Sequence, residues 1–317
     1  MRWTTLTEHI LKEEQKIPGA TGRLTLLLNQ LSEATKIIAA HVKKSGLVDI
    51  EGQTGETNVF NEEVQKLDKF SNDLLIDILT ESGQVSFIAS EELERPIEIK
   101  GSGEYMVFMD PLDGSSNIDT NVSIGTIFSI YHSNNNSLQP GNKQVAAGYV
   151  VYGSSVILVY SCGKSVNGFT LDPGVGSFLL SHPNIKLPTE HSEYSINEGY
   201  FNLYKDSLKA YLQSLKNSEA PYKLRYTGSM VADIHRILIK GGIFLYPNDS
   251  KNPQGKLRLM FEVNPISLLV TRAGGMVVSK GQSPLEITPA SLQQRVPVVL
   301  GSRKEVEKYL RFMENKE

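Results

Sequence analysis

The stretch DPLDGSSNID, residues 110–119, decides how the chain is interpreted, and it follows the apolar run Tyr105–Met109. Asp110, Asp113 and a Gly-Ser-Ser turn thus come directly after a predicted buried strand. Two like charges about 4 Å apart repel by roughly 4 kcal/mol at an effective dielectric near 20. We therefore expect a cation at the end of this strand.

A second acidic motif has the same design. The apolar run Val85–Ala89 leads into Ser90, Glu91 and Glu92. Ligands of open α/β sheets commonly bind outside the carboxyl ends of strands, so the carboxylates of both motifs converge if the two strands are neighbours. Oxygen ligands without His or Cys favour Mg²⁺ or Mn²⁺ over zinc. Either motif alone is compatible with a solvated loop or an ordinary turn, whereas the two together favour a metal site.

Gly114, Ser115 and Ser116 follow Asp113 and are small enough for backbone N–H groups to approach an anion. An Asp-Gly-Ser turn is common and by itself indicates little. A phosphate bound there would lie beside the metal, which is the arrangement that metal-assisted phosphoryl hydrolysis requires. The motif therefore predicts a phosphoryl hydrolase.

The composition excludes several other classes of protein. A net charge of −3, from 32 basic and 35 acidic residues, leaves no basic excess for a nucleic-acid partner. Cys162 is the only cysteine, which excludes an intrachain disulfide and is typical of a reducing compartment. No run approaches the roughly 20 apolar residues that span a bilayer, so we expect a soluble, cytoplasmic protein without a membrane partner.

Apolar periodicity predicts helices followed by a sheet in the first half and alternating strands and helices in the second. The predicted helices are residues 24–44, 62–80, 231–240 and 265–273, and the predicted strands are 85–89, 105–109, 124–131, 145–152, 156–161 and 243–246. This order favours an α/β (α+β layered) fold with two sheets. The polar, proline-bounded stretch 182–190 is the candidate boundary between domains 1–184 and 185–317.

DPLDGSSNID preceded by SEE resembles the metal-dependent sugar phosphatases, which include inositol monophosphatases and fructose-1,6-bisphosphatases. Five further motifs resemble class I fructose-1,6-bisphosphatases: KLD at 66–68, SINEGY at 195–200, YTGSMVAD at 226–233, GIFLYP at 242–247 and GKLRLMFEVNP at 255–265. The resemblance runs in order from about residue 18 to 303. It implies two sheets sandwiched between helix layers, and a homotetrameric enzyme of gluconeogenesis that hydrolyses fructose 1,6-bisphosphate to fructose 6-phosphate and phosphate.

The resemblance also implies a role for each matching position. The metal ligands would be Glu91, Asp110, the Leu112 carbonyl, Asp113 and Glu262, with a contribution from Glu62. Glu92 would activate water together with Glu62, and Asp68 would be a supporting carboxylate. Asp113, Gly114, Ser115 and Ser116 would hold the 1-phosphate, which is cleaved. Asn197, Tyr226, Tyr246 and Lys256 would bind the sugar and its 6-phosphate, together with Arg225 of a neighbouring subunit.

Some of these residues also have plainer interpretations. Lys256 could be only a loop lysine, and Tyr226 and Tyr246 could be core aromatics. Glu262 is more informative, because an acid in an apolar, strand-like run needs a partner or a metal. His235 is predicted to be structural and Cys162 to be a small buried hydrophobe.

Two alternative functions remain open. A sedoheptulose-1,7-bisphosphatase, or an enzyme accepting both bisphosphates, would have the same fold and differ only in reach. A catalytically silent sugar-phosphate sensor is less favoured, because every expected acidic position is filled.

The chain departs from the family at a regulatory site. Many members bind AMP with a Thr-Gly-Glu-x-Thr turn, a Lys-Tyr pair and a later Arg, whereas here the turn is residues 21–25 with Arg23, the pair is Glu104-Tyr105 and the Arg position is His132. A glutamate in place of a lysine repels the phosphate. Arg23 could compensate in part. The departure predicts weak or absent inhibition by AMP.

Overall fold

A computed structural model describes residues 3–44, 53–57, 63–101, 103–133 and 136–314, with the backbone alone described for 53–57 and 63–65. The helices of this part of the chain are α1 (Leu6–Glu14), α2 (Arg23–Val42), α3 (Lys66–Glu81), α4 (Asp206–Lys216), α5 (Met230–Lys240), α6 (Asn264–Arg272) and α7 (Arg303–Glu314). Within these ranges, no helix combines the length and the apolar character needed to cross a membrane.

The strands fall into two larger sheets and two short ribbons. They are β1 (Gln53–Thr57), β2 (Glu63–Gln65), β3 (Val85–Ser90), β4 (Ile97–Glu98), β5 (Tyr105–Asp113), β6 (Ile124–His132), β7 (Gln144–Tyr152), β8 (Val156–Ser161), β9 (Asn167–Asp172), β10 (Ser177–His182), β11 (Glu193–Ser195), β12 (Lys223–Leu224), β13 (Ile243–Tyr246), β14 (Leu257–Arg258), β15 (Met276–Val278), β16 (Arg295–Val296) and β17 (Val298–Gly301).

The first sheet has eight strands in the order β10-β9-β8-β7-β6-β5-β3-β4. Neighbouring strands are antiparallel except for β3 and β5, which run parallel. All nine residues of β5 are buried, because helices cover both faces of the sheet at its centre. This explains why its sequence is a continuous apolar run and not an alternating one.

The second sheet has five strands in the order β12-β11-β13-β17-β15. Helices α1, α2 and α3 pack on the outer face of the first sheet, where Leu31 and Leu75 join a core with Val107. Helices α5 and α6 lie between the two sheets, and α4 and α7 cover the outer face of the second sheet. The prediction of two sheets sandwiched between helix layers is confirmed.

Three local predictions were wrong. Helix α3 begins at Lys66 and not at residue 62, because residues 63–65 pair with β1 instead. Glu262 lies in a π-helical turn, Leu259–Val263, and not in a strand. Cys162 is half-buried at the end of β8 and not fully buried.

Candidate active site

The parallel pairing of β3 with β5 brings the two acidic motifs together. Ser90 pairs with Met109 in the register, and the N–H of Glu91 donates to the Met109 carbonyl at 3.0 Å. Glu91 therefore follows β3 at the same level at which Asp110 continues β5. The condition set by the sequence, that the two strands are neighbours, is met.

Glu262 completes an acidic cluster from the second half of the chain. One carboxylate oxygen each from Glu91, Asp110 and Glu262 lies within 4.8 Å of the other two. The π-helical turn carries Glu262 into the site, and its Oε2 accepts the backbone N–H of Arg258 at 2.5 Å. π-helical turns are rare and occur frequently at functional sites, because they displace a side chain from the regular helical face.

Burial and mutual repulsion set the electrostatics of this cluster. Burial, followed by the Glu91 charge, raises the pKa of Asp110 and that of Glu262 well above their usual values. Burial also raises the pKa of Asp113 to about 6, although hydrogen bonds from Val231 and Ser229 act in the opposite direction. A divalent cation would favour the charged form of all three carboxylates. A buried set of oxygen donors fits Mg²⁺ or Mn²⁺.

The proposed phosphate cradle is packed tightly against a loop from the second half. Gly114 has a φ of +79°, and a Cβ on it would lie 2.7 Å from the Ser229 Cβ. The Ser229 hydroxyl donates to Asp113 Oδ2 at 2.9 Å, and the backbone N–H of Val231 donates to the same oxygen at 2.8 Å. Glycine is required at residue 114 both for its conformation and for this close approach.

A cavity of about 570 Å³ opens above the acidic cluster. Among the sequence-predicted residues, its lining contains Glu91, Glu92, Asp110, Leu112, Asp113, Gly114, Ser115, Ser116, Tyr226, Tyr246 and Glu262. Polar backbone and hydroxyl groups, an acidic cluster and aromatic side chains thus share one concave site, as in small-molecule binding sites generally.

A smaller cavity adjoins it and shares the Tyr246 side chain. Asn197 and Lys256 line this cavity, and Tyr226 lines the main cavity that shares Tyr246 with it. The Lys256 ammonium lies 4.1 Å from the Tyr200 ring centroid and 3.7 Å from a carboxylate oxygen of Asp249. The four residues predicted to bind the sugar and its 6-phosphate are therefore adjacent.

Among the described residues, two of the predicted ones, Asp68 and Arg225, are not found in either cavity lining. Glu62 lies outside the described residues. Asp68 is buried in the first turn of α3 and is absent from the described lining of the main cavity. Arg225 is exposed, donates to the Leu224 carbonyl at 2.9 Å and is absent from both linings.

Sequence reasoning missed Arg258. This buried arginine lines the main cavity and donates to Glu91, a hydrogen-bonded ion pair across the site. The signal was present, because Arg258 stands between two leucines and a buried charge needs a partner, as was argued for Glu262. Ser229 and Asp233 lie within the motif at residues 226–233, but no role was predicted for either.

A separate cavity of about 500 Å³ lies at the N-terminal helices. Thr21, Glu104, Tyr105 and His132 line it, so the residues at which the chain departs from the AMP-binding pattern do meet. Arg23 forms an ion pair with Glu104 at 3.2 Å. The cation that was expected to compensate is therefore paired with the anion that replaces lysine.

Family models match the chain over most of its length. The model described as fructose-1-6-bisphosphatase, N-terminal domain, matches residues 4–183, and the model of the C-terminal domain matches residues 187–314. The chain belongs to the fructose-1,6-bisphosphatase family. A protein named fructose-1,6-bisphosphatase class 1 from Sulfurihydrogenibium sp. is 52% identical over 98% of each chain, and one from Persephonella marina is 51% identical over 97% of this chain and 98% of the other.

Solved fructose-1,6-bisphosphatase structures have the same fold. The Leishmania major enzyme in holo form is 39% identical, with a TM-score of 0.94, over 99% of this chain and all of the other. The same enzyme in its T-state superposes with a TM-score of 0.89. The predicted family, the phosphatase class and the layered fold are confirmed.

Proposed function

We propose that this member of the fructose-1,6-bisphosphatase family hydrolyses the 1-phosphate of fructose 1,6-bisphosphate with Mg²⁺ or Mn²⁺. One observation carries the proposal. The carboxylates of Glu91, Asp110 and Glu262 meet in a cavity that is also lined by Gly114 of the phosphate cradle and by the aromatic side chains Tyr226 and Tyr246, which would bind the sugar. Glu91, Asp110, Asp113, Glu262 and the Leu112 carbonyl would hold the metals. Bound cations neutralise developing phosphoryl charge and lower the pKa of bound water.

The side chains of the protein divide the remaining work. Gly114, Ser115 and Ser116 would orient the 1-phosphate, while Lys256 and Tyr246 would hold the 6-phosphate end. Glu92, which lies in the cavity lining, would accept the proton of the attacking water. The oxygen of that water would bond to phosphorus as the bond between phosphorus and the C1 oxygen breaks, and the C1 oxygen would take up a proton from solvent to become the sugar hydroxyl. Most of the rate enhancement would come from positioning and charge, as in other phosphoryl transfers.

The proposal extends to the oligomeric state, the domain division and the cellular location of the enzyme. Arg225 is exposed and does not line the cavities of its own chain, which supports a role in the site of a neighbouring subunit in a homotetramer. We propose that the chain divides at residues 184/185, close to the junction of the two matched ranges. A cytoplasmic location agrees with the single cysteine, and a role in gluconeogenesis agrees with the family.

Phosphate release from fructose 1,6-bisphosphate and from sedoheptulose 1,7-bisphosphate, measured at several Mg²⁺ concentrations, tests the proposal. We expect turnover of the fructose ester that excess EDTA abolishes. Asp113→Asn should lose nearly all turnover, because it removes a ligand charge with little change of shape. Asp77→Asn removes the same charge from the exposed face of α3 and should be unaffected. Full turnover in EDTA would exclude the metal mechanism, and preference for the seven-carbon ester would favour the alternative.

A further inference from the structure

The loop Tyr226–Ser229 connects two parts of the proposed site. One part would bind the sugar and is called the sugar side, and the other would bind the metal and is called the metal side. At its first residue, the Tyr226 side chain lines the main cavity together with Tyr246, on the sugar side. At its last residue, the Ser229 hydroxyl donates to Asp113 on the metal side at 2.9 Å. The loop is four residues long, so one short segment belongs to both sides.

Asp233 fixes this loop from the first turn of α5. The backbone N–H of Thr227 donates to both carboxylate oxygens of Asp233, at 3.0 and 3.2 Å, and the Thr227 hydroxyl donates to Oδ1 at 3.0 Å. The Asp233 side chain is buried, with 2% of the residue exposed, and it lines the main cavity. A buried carboxylate that accepts two donors from one residue holds that residue firmly, because hydrogen bonds to charged groups are the stronger ones.

The anchor extends from Thr227 to the metal ligand. The backbone N–H of Ser229 points to the Thr227 hydroxyl at 3.4 Å, and the Ser229 carbonyl accepts the N–H of Asp233 at 3.1 Å. Val231, on the same turn of α5, donates its N–H to Asp113 at 2.8 Å. Both of these donors to Asp113, from Ser229 and Val231, therefore lie within four residues of Asp233.

We propose that Asp233 is a positioning residue that sets metal affinity and sugar-phosphate affinity together, by holding the loop Tyr226–Ser229 against Asp113. The inference rests on the proposed function and deepens it. The plainer role for Asp233 is only to stabilise the start of α5, since an acidic residue is favourable in the first turn of a helix. That role would change the stability of the protein and leave both affinities as they are.

Four variants separate these roles. Asp233→Ala removes the anchor, and Asp233→Asn keeps an acceptor oxygen for Thr227 without the charge. Arg236→Ala is the matched control, because it lies on the same helix and breaks a different interaction, the ion pair of the exposed Arg236 with the buried Glu193. Thr227→Val removes the hydroxyl donor from the other side and serves if Asp233→Ala fails to fold.

Mn²⁺ binding is measured by electron paramagnetic resonance of the free ion, and fructose 6-phosphate binding is measured by calorimetry. KM, kcat and the melting temperature are measured for each variant. Loss of hydrogen bonds to a buried carboxylate should weaken Mn²⁺ and fructose 6-phosphate binding by about tenfold each in Asp233→Ala. Thr227→Val should weaken both in the same direction, and Asp233→Asn should lie between Asp233→Ala and the unmodified protein, because a neutral acceptor forms weaker hydrogen bonds than a carboxylate. Arg236→Ala should lower the melting temperature alone.

Unchanged affinities in Asp233→Ala and Thr227→Val, with a lower melting temperature, would overturn the inference. So would weakening of only one of the two ligands, because the loop would then not act on both sides. Failure of the proposed function looks different: the unmodified protein itself would then release no phosphate from fructose 1,6-bisphosphate.

Discussion

Replacement of Gly114 by alanine tests whether the phosphate cradle and the metal ligand form one packed unit. The new Cβ would lie 2.7 Å from the Ser229 Cβ and 2.9 Å from its Oγ, whereas ordinary contact begins at 3.4 Å. The loop would have to move by about 0.7 Å, away from Asp113, to which Ser229 donates. A misplacement of about 1 Å at a reacting centre costs about a hundredfold in rate, so we expect a loss of kcat approaching that size.

Gly281→Ala is the matched control for backbone strain. Gly281 has a φ of +80°, against +79° for Gly114, and a Cβ added to Gly281 would meet no atom within 4 Å among the described residues beyond its chain neighbours. Left-handed strain of about 1–2 kcal/mol should therefore lower the stability of both variants by a similar amount. Only Gly114→Ala should also lose kcat and bind Mn²⁺ more weakly. The reasoning is refuted if Gly114→Ala shows the stability loss of the control together with unchanged kcat and Mn²⁺ affinity.

Three further predictions follow from single contacts. Lys256→Ala should raise KM by about tenfold or more with a smaller effect on kcat, because Lys256 would bind the phosphate that is not cleaved. Lys251→Ala in the same loop is the control, and an unchanged KM in Lys256→Ala would place the 6-phosphate elsewhere. AMP at saturating Mg²⁺ should inhibit weakly or not at all, since Glu104 is paired with Arg23, and half-inhibition at low micromolar AMP would contradict this. Burial lowers the pKa of His235 to about 4, so below pH 6.5 the unfolded chain takes up a proton that the folded chain does not. The free energy of unfolding should therefore fall by about 3 kcal/mol more than that of His235→Gln as the pH falls from 6.5 to 4, and parallel pH profiles of the two proteins would contradict the shift.

The central strands could be predicted from sequence because their surroundings leave a direct record in it. Burial on both faces makes β5 and β6 nearly continuous apolar runs, and the acidic motifs mark the points at which two strands end. The helix over residues 23–42 was predictable for the same reason, since one buried face repeats with the helical period. Glu91, Asp110 and Asp113 were therefore candidates before any contact between them was known.

Other features depend on contacts between distant residues. The apolar pattern around Glu262 reads as a strand, yet the segment forms a π-helical turn that brings the carboxylate beside Glu91 and Asp110. The ion pair of Arg258 with Glu91 joins residues that are 167 positions apart. No local pattern encodes such a pairing, because it is decided by how α5, α6 and the two sheets stack on each other.

The sequence by itself determined the apolar strands, the acidic residues at their ends and the family to which the chain belongs. The tertiary structure alone decided that Asp233 holds Thr227, that Ser229 reaches Asp113 and that Gly114 has no room for a side chain. The physical reason is separation along the chain. Periodicity and turn chemistry act over a few residues, whereas these contacts form only when the loop before α5 packs against the end of β5.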